Sequence, residues 1–225
     1  AIGAASAAPE NLVLAGGTLS YAGVPASANR GYSVQAPRSA IDAQSNLSLG
    51  GNVIAGPGTS FVKTGPATLT YTGTGVNELA GGAQPGYDIV TGTVVFDGSA
   101  GSQVNNSPRD FYVGSTPGSG ASLALTNSRL NVGEWLAIGR GTGSGDYLST
   151  LTLHNSAVRC ANFSMGWDNG LAGNLSRQLM VMTGNSTLTN AGDVNMGESG
   201  GSTSTTPRVG SRRRRACSSR STPMR

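Results

Sequence analysis

The chain has 225 residues, of which 35 are Gly and 10 are Pro, while only 12% are Asp, Glu, Lys or Arg. That excludes an ordinary helical protein, because both backbone specialists interrupt helices. Up to residue 206 there are eight basic and eleven acidic side chains, and residues 207–225 add seven arginines and no acid, so the formal charge of +4 belongs to a tail.

Residues 1–10 carry no strand pattern and are predicted to be disordered or a partial coil. No basic, apolar and cleavage regions of a signal peptide can be read there, and the chain starts at Ala1, so any export signal is expected to precede it. No run approaches the ~18 apolar residues of a membrane-spanning helix. From residue 11 to 205 the sequence reads as one β array, rich in Gly, Ser, Thr and Asn and punctuated by short apolar runs. Its first segments are Asn11-Leu-Val-Leu14, Thr18-Leu-Ser-Tyr21, Asn46-Leu-Ser-Leu-Gly50 and Phe61-Val-Lys-Thr-Gly65. Pro57 and Pro66 mark turns there rather than central strands.

Between 111 and 200 the array becomes a repeat. Phe111-Tyr-Val-Gly114, Leu136-Ala-Ile-Gly139, Phe163-Ser-Met-Gly166 and Val194-Asn-Met-Gly197 share one shape, their glycines 25, 27 and 31 residues apart. Between them lie Leu123-Ala-Leu125, Leu151-Thr-Leu153 and Leu179-Met-Val181, followed by Asn-Ser pairs at Asn127, Asn155 and Asn185. From each Asn-Ser to the next repeat Gly the count is 12, 11 and 12 residues, whereas the interval from Gly to the next strand varies. Constant spacing on one side and variable spacing on the other is the signature of stacked coils whose insertions collect on one edge. The alternating leucines face inward, and Asn-Ser falls at a bend, where Asn tolerates left-handed backbone. The predicted fold is all-β: a parallel β-helix, or solenoid, with irregular inter-coil loops and a disordered C-terminal tail.

One stretch resembles a known family. Lys63-Thr64-Gly65, Thr68-Leu69-Thr70-Tyr71-Thr72-Gly73, Asn77, Gly92-Thr93-Val94 and Phe96 are similar to the autotransporter-associated β-strand repeat, also called the passenger-associated transport repeat. The likeness covers about 61–98, with Pro66-Ala67 and Glu78-Leu79 departing from the family pattern and some ten extra residues before Gly92. It implies a secreted or surface-displayed β-helix that is right-handed, as parallel crossovers generally are, and that serves export or folding of a passenger. It also implies an outer-membrane barrel and export machinery as partners outside this stretch. A surface glycan or other cell-envelope component is a further expected partner.

Residues 206–225 break the pattern with Arg212-Arg-Arg-Arg215-Ala-Cys217. A basic tail for an anionic surface and a shifted reading frame both account for it; the shifted frame is preferred, and nucleic acid is set aside as a partner.

No catalytic, cofactor or metal site is predicted. His154 is the only histidine, which excludes mechanisms needing two imidazoles, and alternation points it outward as a plain strand residue. Gly197-Glu198-Ser199-Gly200-Gly201 matches a nucleophile elbow by letter but precedes no helix. Gly139-Arg-Gly-Thr-Gly-Ser-Gly145 lacks the Lys and helix of a phosphate loop, and Gly143-Ser-Gly-Asp146 supplies only one corner of a calcium repeat. Asp146, Asp168 and Glu198 each follow a repeat Gly, yet at different offsets, so they share no register for general acid and base work; a carbohydrate-binding or carbohydrate-active β-helix, a lyase or hydrolase, is the alternative to a structural passenger. Cys160 reads as a small buried residue. The positions expected to matter are structural: Gly65, Gly73, Gly114, Gly139, Gly166, Gly197, Asn127, Asn155 and Asn185. Trp135, Trp167 and Asp168 are the candidate glycan contacts.

Overall fold

The structure is a computed structural model that describes residues 8–116, 119–140, 147–166 and 177–197. Apart from one turn of 3-10 helix at Pro9–Asn11, its regular elements are strands, and every strand pairing is parallel. The chain winds as a parallel β-helix, each coil visiting three faces in a fixed order. Parallel pairing follows from the winding, because each strand lies beside its counterpart one coil away.

The aromatic face holds Thr18–Tyr21, Ser39–Ala43, Phe61–Thr64, Tyr87–Ile89, Phe111–Val113, residues 136–138 and 163–165, and Val194–Met196. The hydroxyl face is a seven-stranded sheet running from Ala26–Ala28 to Arg177–Thr183. The amide face begins with the three-stranded sheet Val13–Leu14, Tyr32–Val34 and Val53–Ala55. It continues with Gly75–Glu78, Gln103–Ser107, residues 128–132 and 157–160, and Thr187–Asn190.

Period-2 alternation decides what lies inside. On the hydroxyl face Leu69, Val94, Leu123 and Leu151 stack in one inward row, and Tyr71, Phe96, Leu125 and Leu153 in the next; all are essentially fully buried. Phe61, Tyr87 and Phe111 form a column on the aromatic face with ring centroids 5.0 and 4.7 Å apart, and Tyr32 joins it at 5.4 Å from Phe61. Each fully buried apolar side chain contributes about 1.5–3 kcal/mol, and stacking gives the row a register as well.

The repeat glycines end the aromatic-face strands. Gly114, Gly139, Gly166 and Gly197 have φ of 73°, 71°, 72° and 66°, the left-handed region where an L side chain is strained. Asn127 and Asn155 adopt φ of 48°. At the third Asn-Ser it is Gly184, with φ of 63°, that takes the left-handed turn just before Asn185. Gly73 serves differently: a Cβ there would press on the carbonyls of Gly50 and Gly51 in the preceding coil.

Candidate functional site

Among the described residues, and apart from small buried Ser and Thr side chains, three polar groups interrupt the apolar interior, and each is satisfied within the fold. Lys63 lies on an inward row between Ile41 and Ile89 and is fully buried. Its Nζ donates to the carbonyls of Gly65 at 2.5 Å, Ala67 at 2.6 Å and Thr91 at 2.8 Å. Three ammonium protons therefore meet three acceptors drawn from two successive coils. Burial pushes the amine down to about 8, with Asp42 drawing it back up. Gly65 turns the chain at φ of 80°, and a Cβ on Gly92 would collide with the Lys63 ammonium. Lys-Thr-Gly and the later Gly-Thr thus form one inter-coil clamp.

On the amide face Asn77 and Asn105 stack in one inward row. Asn77 Nδ2 donates to Asn105 Oδ1 at 2.8 Å, and Asn77 Oδ1 accepts from the Val53 amide at 2.9 Å. Gln103 donates to the carbonyls of Tyr71 and Gly73 at 3.0 and 2.9 Å. The third group is a chain of hydroxyls, Tyr32 to Tyr71 at 2.6 Å and Tyr71 to Tyr87 at 2.9 Å. Burial raises all three phenols, so they stay neutral and satisfy one another. None of these groups reaches solvent.

Among the described residues, a cluster of charged and aromatic side chains sits at the corner where the amide face turns into the aromatic face. The register shifts there between Val132 and Trp135. Asp110, 5% exposed, accepts the Trp135 backbone N–H at 2.9 Å on Oδ1. Its Oδ2 accepts from the Tyr112 hydroxyl and from Arg140, the latter at 3.4 Å. The Arg140 guanidinium lies 4.3 Å from the centre of the Tyr112 ring and also donates to its hydroxyl. Burial and then the adjacent carboxylate raise the Tyr112 phenol. Alongside, Arg109 pairs with Glu134, which also accepts from Gln84.

Asp88 lies one coil before Tyr112 in the same row. It is 7% exposed with its Oδ1 unpartnered. Burial raises its carboxyl, opposed by Ser115 and by the charges of Arg38 and Arg140.

This cluster is a brace. Asp110 already accepts three donors and Tyr112 is held protonated, so neither is poised as a general base. Trp135 stands half-buried on this corner. His154 is exposed at the edge of the hydroxyl face, with Nδ1 3.0 Å from Thr183 Oγ1 and Nε2 3.2 Å from Asn155 Nδ2. Cys160 is buried in the core. Trp167, Asp168, Asp146, Glu198, Ser199 and the tail 206–225 lie outside the described residues. Among the described residues no three of His, Cys, Asp and Glu gather as a metal site, and no helix is long and apolar enough to cross a membrane.

A stack of parallel coils with a closed interior and a braced surface defines the class of protein as a β-solenoid. No family model matches the chain, the repeat family resembled at 61–98 included, and no solved structure matches it. It is 31% identical over 184 residues, 73% of its length, to the adhesin BmaC autotransporter of Brucella suis biovar 1 (strain 1330). The matched stretch is 5% of that protein, so the chain spans about one twentieth of the curated relative. Fold and match together fit a β-helix segment of an autotransporter passenger.

Proposed function

We propose that the chain is a non-catalytic segment of a passenger displayed at the cell surface, a stiff spacer that holds other parts of its protein away from the outer membrane and whose stepwise folding aids export. The observation that carries this reading is the continuity of the stack. Strand ladders run unbroken through successive coils on the aromatic and hydroxyl faces, and the amide face passes from one ladder to a second between Val53–Ala55 and Gly75–Glu78, around one buried cluster from Leu14 to Met165. Solenoids of this kind draw stability from each neighbour-to-neighbour interface, which makes them resist bending and lets folding propagate from either end.

The test is surface display of the chain fused to an outer-membrane barrel. Opening two coils with Gly139→Val and Gly166→Val is expected to cut display severalfold, whereas His154→Ala, Asp168→Asn and Trp135→Ala leave it unchanged. Full display of the glycine double variant, or a catalytic turnover abolished by Asp168→Asn, overturns the reading.

A second reading is contact with a glycan at the cell surface. It is favoured by Trp135, half-buried with its backbone N–H held by Asp110, since a partly exposed indole on a fixed backbone suits a sugar ring. Quenching of tryptophan fluorescence by a polysaccharide, lost in Trp135→Phe, supports it; a flat titration across a glycan panel removes it.

A further inference from the structure

The three Asn-Ser bends are alike in sequence and unlike in their surroundings. At Asn127-Ser128 the Ser128 backbone N–H donates to Ser156 Oγ at 3.2 Å, and at Asn155-Ser156 the Ser156 N–H donates to Ser186 Oγ at 3.3 Å. Both serines are buried, and the serine amide of each bend is closed by the coil that follows. The carboxamides are held as well. Asn127 Nδ2 donates to Ser99 Oγ at 3.4 Å, and Asn155 Oδ1 accepts the Asn185 backbone N–H at 3.1 Å, against Gly184, where a Cβ would collide with it. Asn185-Ser186 lies on the last described coil. Asn185 is exposed and Ser186 partly so, and among the described residues neither the Asn185 carboxamide nor the Ser186 N–H has a hydrogen-bond partner.

We propose that Asn185 is a site of spontaneous covalent modification, at which the Ser186 amide nitrogen attacks the Asn185 side-chain carbonyl and the residue ends as aspartate or isoaspartate. The Ser186 N–Cγ bond forms and the carboxamide C–N bond breaks; the attacking nitrogen gives up its proton and the carboxamide nitrogen leaves as ammonia, so a succinimide ring closes. Water then adds to one of the two imide carbonyls. Opening on one side gives aspartate at position 185, and opening on the other gives isoaspartate. Water is the co-reactant, and no oxidant or reductant takes part. The step needs a backbone N–H free to lose its proton and a carboxamide free to swing onto it. An N–H committed to a buried acceptor keeps its proton, and breaking its bond leaves that acceptor unsatisfied. Ser128 and Ser156 are so committed, and Ser186 is not.

Position gives the modification its effect. The bend at 185–186 supplies two of the bonds that tie the last described coil to the one before it, the Asn185 N–H to Asn155 Oδ1 and Ser186 Oγ to the Ser156 N–H. Isoaspartate routes the main chain through the side chain and so adds a methylene between those two groups, which then no longer match the spacing of Asn155-Ser156. It also replaces a neutral carboxamide by a carboxylate. The coil is therefore loosened at this bend, and the Asn155-Ser156 bend behind it loses its cover. The inference goes beyond the spacer reading and does not depend on it.

The experiment is peptide mapping by mass spectrometry of the full 225-residue chain, aged in warm, mildly alkaline buffer. Trypsin places the three bends in separate peptides, residues 110–129, 141–159 and 178–208, and leaves Asn169, outside the described residues, in a fourth. Aspartate and isoaspartate are expected at position 185 at least about tenfold faster than at 127 and 155, whose bends must first open locally, and faster as hydroxide concentration rises. In denaturant the three rates are expected to converge. Ser156→Ala removes the acceptor of the Ser128 N–H and leaves the Asn127-Ser128 pair intact, so modification at Asn127 is expected to speed up several-fold with circular dichroism unchanged. If that variant does not fold, Ser186→Ala, at the partly exposed bend, gives the same reading at Asn155. In the aged chain the Ser156 amide hydrogen is expected to exchange faster than in the fresh one. Equal rates at the three bends of the folded chain, aspartate formed without isoaspartate, or a serine variant that folds and leaves the preceding asparagine's rate unchanged overturns the proposal.

Discussion

The coils from residue 53 to 113 and those from 121 to 197 share the same three-faced outline but are tied together by different means. In the earlier half, a lysine, a pair of asparagines, a glutamine and a chain of tyrosine hydroxyls stitch coil to coil inside the core, among rings stacked about 5 Å apart. In the later half the same inward rows hold Leu123, Leu130, Leu151, Leu153 and Val158, and the polar ties between coils move to the bends, where the Ser128 amide donates to Ser156 Oγ and the Ser156 amide to Ser186 Oγ. The difference teaches two ways of fixing a solenoid. Buried polar groups penalise every misregistered alternative through unmet hydrogen bonds, whereas a uniform aliphatic stack relies on regular spacing of its bends.

The sharpest way to break the contrast is Lys63→Met, which leaves three carbonyls without their donor. A loss of about 4 kcal/mol is expected, confined to the earlier half: hydrogen exchange at Leu69, Tyr87 and Ile89 should accelerate while Leu151 and Phe163 keep their protection. Equal acceleration in both halves would mean that the stack melts as one unit. Leu153→Ala is the mirror experiment and should cost about 3 kcal/mol as a cavity, read as faster exchange in the later coils first. Gly166→Ala tests the bends on which the later half depends. Its left-handed φ predicts a loss of about 1–2 kcal/mol, measured as a lower denaturant midpoint.

The smallest effect has the opposite sign. Because burial raises Asp88, the folded chain holds its proton to higher pH than the unfolded chain does. The stability that goes with that proton is complete below the ordinary carboxylate range and is lost as pH rises through the folded value. Asp88→Asn should therefore be more stable than the natural chain at neutral pH by about 1 kcal/mol, and the difference should vanish in acid. A pH series of denaturant midpoints checks it.

What could be read from the sequence follows the same division. The later half announced its coils through Leu-x-Leu alternation, evenly spaced bends and Gly-ending strands, because apolar periodicity and backbone-restricted residues are local signals. In the earlier half alternation places Lys63 on an inward row, a position at odds with the usual exposure of lysine. Only the meeting of residues 63, 67 and 91 across two coils explains it. The roles of Asn77 and Asn105 were hidden likewise, since an asparagine that completes a neighbouring coil looks the same in sequence as one in a turn. The corner around Asp110 was missed because its partners Trp135 and Arg140 lie a full coil away in sequence. Trp135 was legible as a position beside a repeat strand, but not as the residue whose backbone amide Asp110 secures.

Lys63 is also the only lysine in the chain, and the fold hides it completely. The folded protein therefore shows amine-directed reagents no side-chain amine, and trypsin no lysine bond that it can reach without opening two coils. A single acylation at position 63 becomes a time stamp: it marks the molecules in which those coils had not yet closed when the reagent was added, which allows the order of assembly to be read from the mass of one peptide.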